Sequence, residues 1–358
     1  MAATAEPGVE PDAPAAQHGN SPWYLAYRRL RRNRVALAAL ALFILIVVFV
    51  LAAPLWATKV SHTGPNTTHT LEKVEVGGSE GEGEKREVVN PEGKPIGPLG
   101  FAAGGRFFLG ADGRLGRDEM VRLMYGGRTS LLISVTAAAI TVLLSILFGL
   151  LAGYYGGWID AVIARAMDVI WAFPVLLLGI ALGVALAIGG LQIGPITIPS
   201  GSIWIPIGII GFVYVPYVAR PLRGEVLALR EKEFVEAAVA QGAGPLRVMF
   251  GELLPNLWST IIVFFTISIA NSMLLESALS FLGAGVRPPN SSWGAMISSG
   301  FELIYTAPLL TIIPGTMIFL TVLSVEVFGD GLRDALDAKS KVRLEAHAGL
   351  PEPEGTAV

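Results

Sequence analysis

Residues 169–219 contain no charged side chain. A helix that crosses a lipid bilayer needs about 20 apolar residues, so this stretch is too long for one such helix and long enough for two. Gly189 and Pro199 lie near its middle, and glycine and proline commonly interrupt helices. The stretch therefore predicts two membrane crossings, near residues 168–188 and 202–220.

Four further apolar runs are long enough to cross a bilayer. The chain is 53% hydrophobic and only 15% charged, with a mean hydropathy of +0.59. Soluble domains carry about 25% charged residues. Gly149 and Gly153 are four residues apart, a spacing that favours close helix packing in membranes. We predict an all-α polytopic membrane protein with six transmembrane helices, the remaining four near residues 35–58, 129–153, 257–282 and 308–328.

The distribution of basic residues predicts the orientation. Loops rich in Lys and Arg remain on the cytoplasmic side, whereas long loops cross largely regardless of charge. The 189–201 loop has no basic residue and the 283–307 loop has only Arg287. The opposite side carries the N-terminal arginine cluster and the basic residues of the 220–256 loop and the C-terminal tail. Both termini and the 220–256 loop are therefore expected in the cytoplasm.

These features divide the chain into five parts. We expect the 59–124 loop to be extracytoplasmic and mostly flexible, with room for a small hairpin, because it is rich in Gly, Glu, Lys and Pro and lacks apolar periodicity. The predicted parts are a cytoplasmic tail (1–34), a first transmembrane helix (35–58), this hydrophilic loop (59–124), a core of five transmembrane helices that includes the cytoplasmic 220–256 loop (125–330), and a second cytoplasmic tail (331–358).

Several function classes have no support in the sequence. The net charge is -3, which argues against nucleic acid as a partner, and the absence of cysteine excludes thiolate metal sites. His62 and His69 have no third ligand nearby and are expected to be solvated. Neither an H-E-x-x-H motif nor a G-x-x-x-x-G-K-[ST] phosphate loop is present, so we expect no catalytic, metal or cofactor site.

Two polar residues within the fifth predicted helix are candidates for a transport pathway. They are Asn271 and Glu276. Ionisable groups are costly inside a membrane, and those that occur there often mark a pathway. Glu276 could face such a pathway, form hydrogen bonds between helices, or lie near the outer interface. The sequence alone leaves these alternatives open.

The 220–256 loop contains a short amphipathic helix. Phe234, Ala237, Ala238 and Gln241 lie at i, i+3, i+4 and i+7 and share one helix face. Gly242 can adopt the left-handed conformation that ends a helix. The helix is either a connector on the membrane surface or a docking site for another subunit. A transport pathway without a phosphate loop of its own favours docking to a separate ATPase.

The loop also resembles a known family. Glu236-Ala-Ala, followed by Gly242 and by Leu254-Pro255, resembles the EAA signature of permease subunits in binding-protein-dependent ABC importers. Glu252 stands where the general signature favours Ile. The segments 28–37, 275–283 and 329–337 are similar to the second permease subunit of dipeptide and oligopeptide importers. The hydrophilic stretch around 60–105 is longer than usual for that branch.

The resemblance implies a methionine-importer-like transmembrane fold in a bacterial or archaeal cell membrane. It also implies a second permease subunit, two cytosolic ATPase subunits that use the ATP, and an extracytoplasmic binding protein. Peptides are the expected cargo, with nickel, glutathione and sugars as alternatives; a stand-alone secondary carrier is the competing class. The residues implied to couple to the ATPase are Glu233, Phe234, Glu236, Ala237, Ala238, Gly242, Leu254 and Pro255.

Overall fold

The computed structural model describes residues 22–76, 84–113 and 115–336. Within them the chain is mostly helical, and a π-helix at Val248–Leu253 joins two α-helices. The α-helices are α1 (Pro22–Leu30), α2 (Arg34–Leu51), α3 (Ala53–Lys59), α4 (Glu119–Tyr155), α5 (Gly157–Trp171), α6 (Val175–Gly189), α7 (Trp204–Val213), α8 (Val215–Arg230), α9 (Glu233–Ala240), α10 (Pro245–Arg247), α11 (Leu254–Phe281), α12 (Trp293–Phe301) and α13 (Leu309–Leu336).

In the part of the chain that the structure describes, three two-stranded antiparallel sheets lie outside the helices. The first belongs to the polar region after α3, the second immediately precedes α4, and the third follows α6. Their strands are β1 (Lys73–Val76) with β2 (Glu84–Glu87), β3 (Ala111–Asp112) with β4 (Arg117–Asp118), and β5 (Leu191–Ile193) with β6 (Ile196–Ile198).

With each bent pair of helices counted as one span, the described helices match the six predicted crossings by length and composition. Four of them are single spans by length and composition: α2, α4, the continuous segment Pro245–Phe281 and α13. Two bent pairs supply the others, α5 with α6 at 85° and α7 with α8 at 40°. Pro174 lies at the sharper bend, where its ring and missing N–H end a helix. The sequence predicts one helix over 168–188, whereas this region contains the end of α5, a sharp bend and α6.

Three other boundaries differ from the sequence predictions. The helix predicted at 129–153 begins at Glu119, because the Asp118 side chain accepts a hydrogen bond from Val121 N (3.1 Å) and caps α4. The first crossing, predicted as one helix, is interrupted at Ala52. The last helix continues to Leu336, beyond the predicted end near 328, so the predicted tail begins as helix. Residues 1–21 and 337–358 of the two predicted tails lie outside the described residues.

The region between α3 and α4 folds into a compact unit, which we call the polar lobe (residues 60–76, 84–113 and 115–118). Val74, Val88 and Phe107 are buried in its small core. Asp118 fixes the lobe to α4, since its Oδ2 accepts hydrogen bonds from Ser61 Oγ (2.6 Å) and Phe107 N (2.9 Å). The described residues of this region are therefore packed and hydrogen-bonded, where the sequence predicts a mostly flexible loop.

His69 belongs to this packing and is not solvated, contrary to expectation. Its ring nitrogens lie 2.8 Å from Thr63 Oγ1 and 2.5 Å from Glu72 Oε2, and the ring packs edge-on against Phe107. Burial alone would raise the pKa of Glu72, but hydrogen bonds from Arg106 and His69 outweigh burial and lower it. The lobe thus has polar cross-links as well as an apolar core.

Small residues along α4 allow other spans to approach it closely. A Cβ placed on Gly149 would lie 3.1 Å from Leu222 Cβ of α8, and one on Gly153 would lie 2.6 Å from Val226 Cγ1. Nearer the middle of the span, Thr141 Oγ1 donates to the Gly211 carbonyl at 3.0 Å. The close packing predicted for the glycine pair is confirmed, and α4 is the helix around which α7, α8 and α11 assemble.

Candidate functional site

The predicted docking helix is present as α9, and it ends in a defined cap. Gly242 has a φ of 84°, in the left-handed region. Gly242 N donates to Val239 O at 2.9 Å, and Ala243 N donates to Ala238 O at 3.0 Å. These two bonds form the Schellman motif, which satisfies the last carbonyls of the helix. The conformation predicted for Gly242 is confirmed, and it turns the chain from α9 towards α10.

One side of α9 is attached to the rest of the protein through Val235. This side chain is 3% exposed and packs in a cluster with Val226 of α8 and Leu257 of α11. Burying a side chain of this size stabilises by about 1.5–3 kcal/mol. The cluster therefore holds α9 against the helices that precede and follow it.

The other side of α9 remains open to a partner. Phe234 is 37% exposed, and Glu233, Glu236 and Ala237 are also exposed, while Ala238 is half-buried. The face predicted to contact an ATPase is thus available. Further apolar side chains project from the following segment, because Leu246 is 67% exposed and Phe250 is 52% exposed. An apolar surface of this kind at a helix connection is typical of an interaction site.

The Leu254-Pro255 pair begins α11. Leu254 is half-buried against the same cluster as Val235, whereas Pro255 is exposed in the first helical turn, a position that suits proline. The π-helix Val248–Leu253 leads directly into this turn, and such segments often mark functional sites. Leu254 therefore contributes to the internal packing, a role that the sequence motif alone does not reveal.

Three arginines of α8 connect the base of this segment to α4 and α5. Arg230 Nη1 donates to the Tyr154 carbonyl at 2.9 Å, near the end of α4. Arg223 forms a bidentate ion pair with Asp160. Arg220 pairs with Asp168 and lies 3.8 Å above the Trp171 ring. In the sequence, these arginines predict only the orientation of the chain in the membrane. The positions of Asp160 and Asp168 beside apolar runs are the feature from which the ion pairs could have been predicted.

Asn271 and Glu276 lie on different faces of α11. Five residues correspond to about 140° around a helix. Asn271 is half-buried. It shares a face of α11, at helical spacing, with Asn256, Thr260 and Ile267, and these three residues line a cavity. The structure therefore separates the two pathway candidates.

Glu276 lies on the opposite face and is fully buried. Ser130 Oγ of α4 donates to its carboxylate at 3.0 Å, and Ser280 Oγ donates at 2.7 Å. Each hydroxyl also accepts a backbone hydrogen bond, Ser130 from Trp293 N and Ser280 from Val286 N. The hydrogen bond from Ser130 joins α4 to α11, as in the alternative in which Glu276 bonds between helices, and a pathway role for Glu276 stays a prediction.

Variants of Glu276 test this structural role. We expect Glu276→Gln to retain transport, because an amide fills the same space and keeps hydrogen-bonding capacity. Glu276→Ala leaves two buried hydroxyls without their acceptor and creates a cavity, which should cost about 2–4 kcal/mol. Thermal unfolding of the purified subunit in detergent measures the difference. A stable Ala variant with lost transport would instead favour a pathway role.

A cavity of about 510 Å³ lies between α8, α11 and α13. Its wall on α11 includes Asn256, Thr260 and Phe264, on the face that also carries Asn271. Glu225 of α8 and Arg333 of α13 supply one carboxylate and one guanidinium. Leu229 and Asn256 also line the cavity, and they lie just before α9 and just after Leu254-Pro255, so the cavity is at the same end of the helix bundle as α9.

Comparisons with known proteins cover nearly the whole chain. Residues 145–342 match the family model described as binding-protein-dependent transport system inner membrane component. Residues 21–70 match the N-terminal TM domain of oligopeptide transport permease C. The match to the first model covers most of the helical core, including the 220–256 loop.

Individual relatives match over similar lengths. The dipeptide transport system permease protein DppC of Alkalihalophilus pseudofirmus is 35% identical over 338 residues, covering 93% of this chain and 96% of the relative. The glutathione transport system permease protein GsiD of Pectobacterium atrosepticum is 34% identical, with 90% and 92% covered. An inward-facing form of the MetNI methionine ABC transporter aligns with a TM-score of 0.48 at 17% identity, covering 61% of this chain and 97% of that one.

Proposed function

Because this chain belongs to the family of binding-protein-dependent transport system inner membrane components, we propose that it forms part of the pathway of an ATP-driven importer of short peptides. As a permease component, it is a transporter subunit without its own ATPase site. The observation that supports coupling most directly is α9, which is anchored on one side by Val235 and open on the other.

Each residue of the segment then has a distinct role in coupling. Phe234, Ala237 and Ala238 enter a groove of a cytosolic ATPase subunit, where alanine permits close approach of the two backbones. Glu233 and Glu236 lie at the polar edge of that contact. This arrangement accounts for an apolar face that combines one phenylalanine with two small alanines and stays largely uncovered within the described residues.

The remaining residues transmit movement of the ATPase to the spans. Gly242 fixes the turn between α9 and α10, and Leu254-Pro255 begins α11. On the other side, Arg230 joins the end of α8 to the end of α4. Closure of the ATPase pair on ATP would therefore displace α8 and α11 together, and the pathway would alternate between outward and inward access.

The proposed assembly contains this chain, a second permease subunit, two ATPase subunits and an extracytoplasmic binding protein. It lies in a bacterial or archaeal cell membrane, with both termini and α9 in the cytoplasm, as the distribution of basic residues favours. The dipeptide permease relative supports peptide cargo, and the glutathione permease relative supports a second candidate, since glutathione is itself a short peptide. Asn271 is the proposed pathway residue.

Substitutions on the exposed face of α9 test the docking role. We expect Ala237→Trp and Glu236→Lys to abolish copurification with the ATPase subunits and to reduce uptake at least tenfold. Both side chains are exposed, so the subunit itself should fold normally. Glu231→Ala, just before α9, is the matched surface control. The experiment compares ATPase recovery and peptide uptake in membranes with equal amounts of each variant; full recovery of ATPase with either variant would contradict docking through this face.

A further inference from the structure

The cavity between α8, α11 and α13 has a defined chemical character. Glu225 and Arg333 contribute opposite charges from different helices, while Phe264 and Ile267 contribute apolar surface. Charged groups facing lipid are costly, and those within or near spans commonly mark a pathway. Its volume of about 510 Å³ falls in the range of cavities that hold small ligands.

The carboxylate in this cavity is held in position. Thr260 Oγ1 donates to Glu225 Oε1 at 3.0 Å, so one carboxylate oxygen is engaged by the neighbouring helix. Within residues 22–76, 84–113 and 115–336, Glu225 and Arg333 do not form an ion pair with each other. Arg333 is exposed in the last turn of α13. Both charges are therefore available to a ligand that enters between the helices.

We infer that this cavity is a passage site for zwitterionic short peptides. In it, Glu225 receives the N-terminal ammonium group, Arg333 receives the C-terminal carboxylate, and the Phe264–Ile267 wall contacts the side chains. This assignment rests on the proposed import of peptides and adds which parts of the cargo the permease recognises. A dipeptide spans at most about 7 Å when extended, a length that a cavity of this volume accommodates.

Recognition of the two ends predicts a preference for free termini over blocked ones. A hydrogen bond to a charged group contributes enough to change affinity about tenfold. The complete complex of both permease and both ATPase subunits, purified without the binding protein, should bind L-alanyl-L-alanine about tenfold more tightly than its N-acetyl form. The same preference is expected over its C-terminal amide.

Single substitutions should remove one preference each. Glu225→Gln is expected to abolish discrimination against the N-acetyl peptide and to leave discrimination against the amide unchanged. Arg333→Gln is expected to have the reverse effect. Glu231→Gln and Arg32→Gln are charge-matched controls, because both residues are exposed and neither lines the cavity. The controls should keep both preferences.

Three results would overturn the inference. The first is that L-alanyl-L-alanine shows no saturable binding to the wild-type complex. The second is that Glu225→Gln and Arg333→Gln both keep the preference for free termini. The third is that either variant fails to copurify with the second permease subunit. The last result would identify the cavity as a contact between subunits.

ATP-dependent peptide uptake, measured in parallel in proteoliposomes with the binding protein, distinguishes the two proposals. If uptake persists while end recognition is absent, peptide import stands and the passage site does not.

Discussion

Gly242→Val is expected to abolish ATP-driven uptake while the subunit still inserts in the membrane. The φ of 84° at this position places a β-branched residue in a backbone region that costs about 1–3 kcal/mol or more. A Cβ at Gly242 would meet no atom within 4 Å, so the penalty comes from the backbone alone. Relief of the strain requires loss of the two hydrogen bonds that cap α9, and the docking face then changes direction.

Gly244 provides a matched control two residues away. A Cβ at Gly244 would also meet no atom within 4 Å, but the φ of this residue is -72°, which any residue can adopt. We therefore expect Gly244→Val to retain uptake. Gly242→Ala should be intermediate, with a reduction of roughly five- to thirtyfold for a cost of about 1–2 kcal/mol. Uptake is measured in membranes with equal subunit content, and normal uptake by Gly242→Val would exclude a coupling role for this turn.

Gly153→Leu should prevent stable folding of the subunit. The first side-chain atom would lie 2.6 Å from Val226 Cγ1 and 3.0 Å from the Arg223 carbonyl oxygen. The carbonyl belongs to the backbone of α8, so relief requires α4 and α8 to separate. Overpacking typically costs 1–3 kcal/mol, and here separation also breaks the contact between Arg230 and Tyr154.

Gly208→Leu is the corresponding control, because a Cβ at this exposed position of α7 meets no atom within 4 Å. The measurement is the fraction of each variant that remains monodisperse in detergent after extraction, together with its unfolding temperature. We expect Gly153→Leu to be largely aggregated or degraded and Gly208→Leu to resemble the wild type. A Gly153→Leu subunit with wild-type stability would show that the contact between α4 and α8 is not essential.

The sequence predicts the number of crossings and the turn at Gly242 because these depend on local chemistry. Long uncharged runs have few alternatives to spanning a membrane, and a glycine after an amphipathic helix indicates its end. It does not predict which face of α11 points inward. That helix is apolar around most of its circumference, so neither Asn271 nor Glu276 reveals its direction. Only the packing of α4 against α11 places Glu276 next to Ser130.

The polar lobe shows a second limit of sequence reasoning. Its described residues have little apolar periodicity, and their order depends on contacts between distant positions. Asp118 joins Ser61 and Phe107, while Arg122 Nε lies 3.0 Å from Asp112 Oδ2. None of these pairings follows from spacing along the chain. The glycine-rich composition predicts flexibility, whereas buried polar contacts hold the described residues of the lobe together.

Helix α4 is long enough to connect the two ends of the molecule mechanically. Its 37 residues extend for about 55 Å, compared with about 30 Å for the hydrocarbon core of a bilayer. The polar lobe is fixed at one end through Asp118, and Arg230 contacts the other end beside α9. A rigid rod that pivots near its middle moves its two ends in opposite directions. If α4 tilts in this way, a ligand that binds the lobe more tightly in one tilt changes the affinity of a ligand that senses the tilt at the far end. That second ligand then changes the affinity of the first by the same factor.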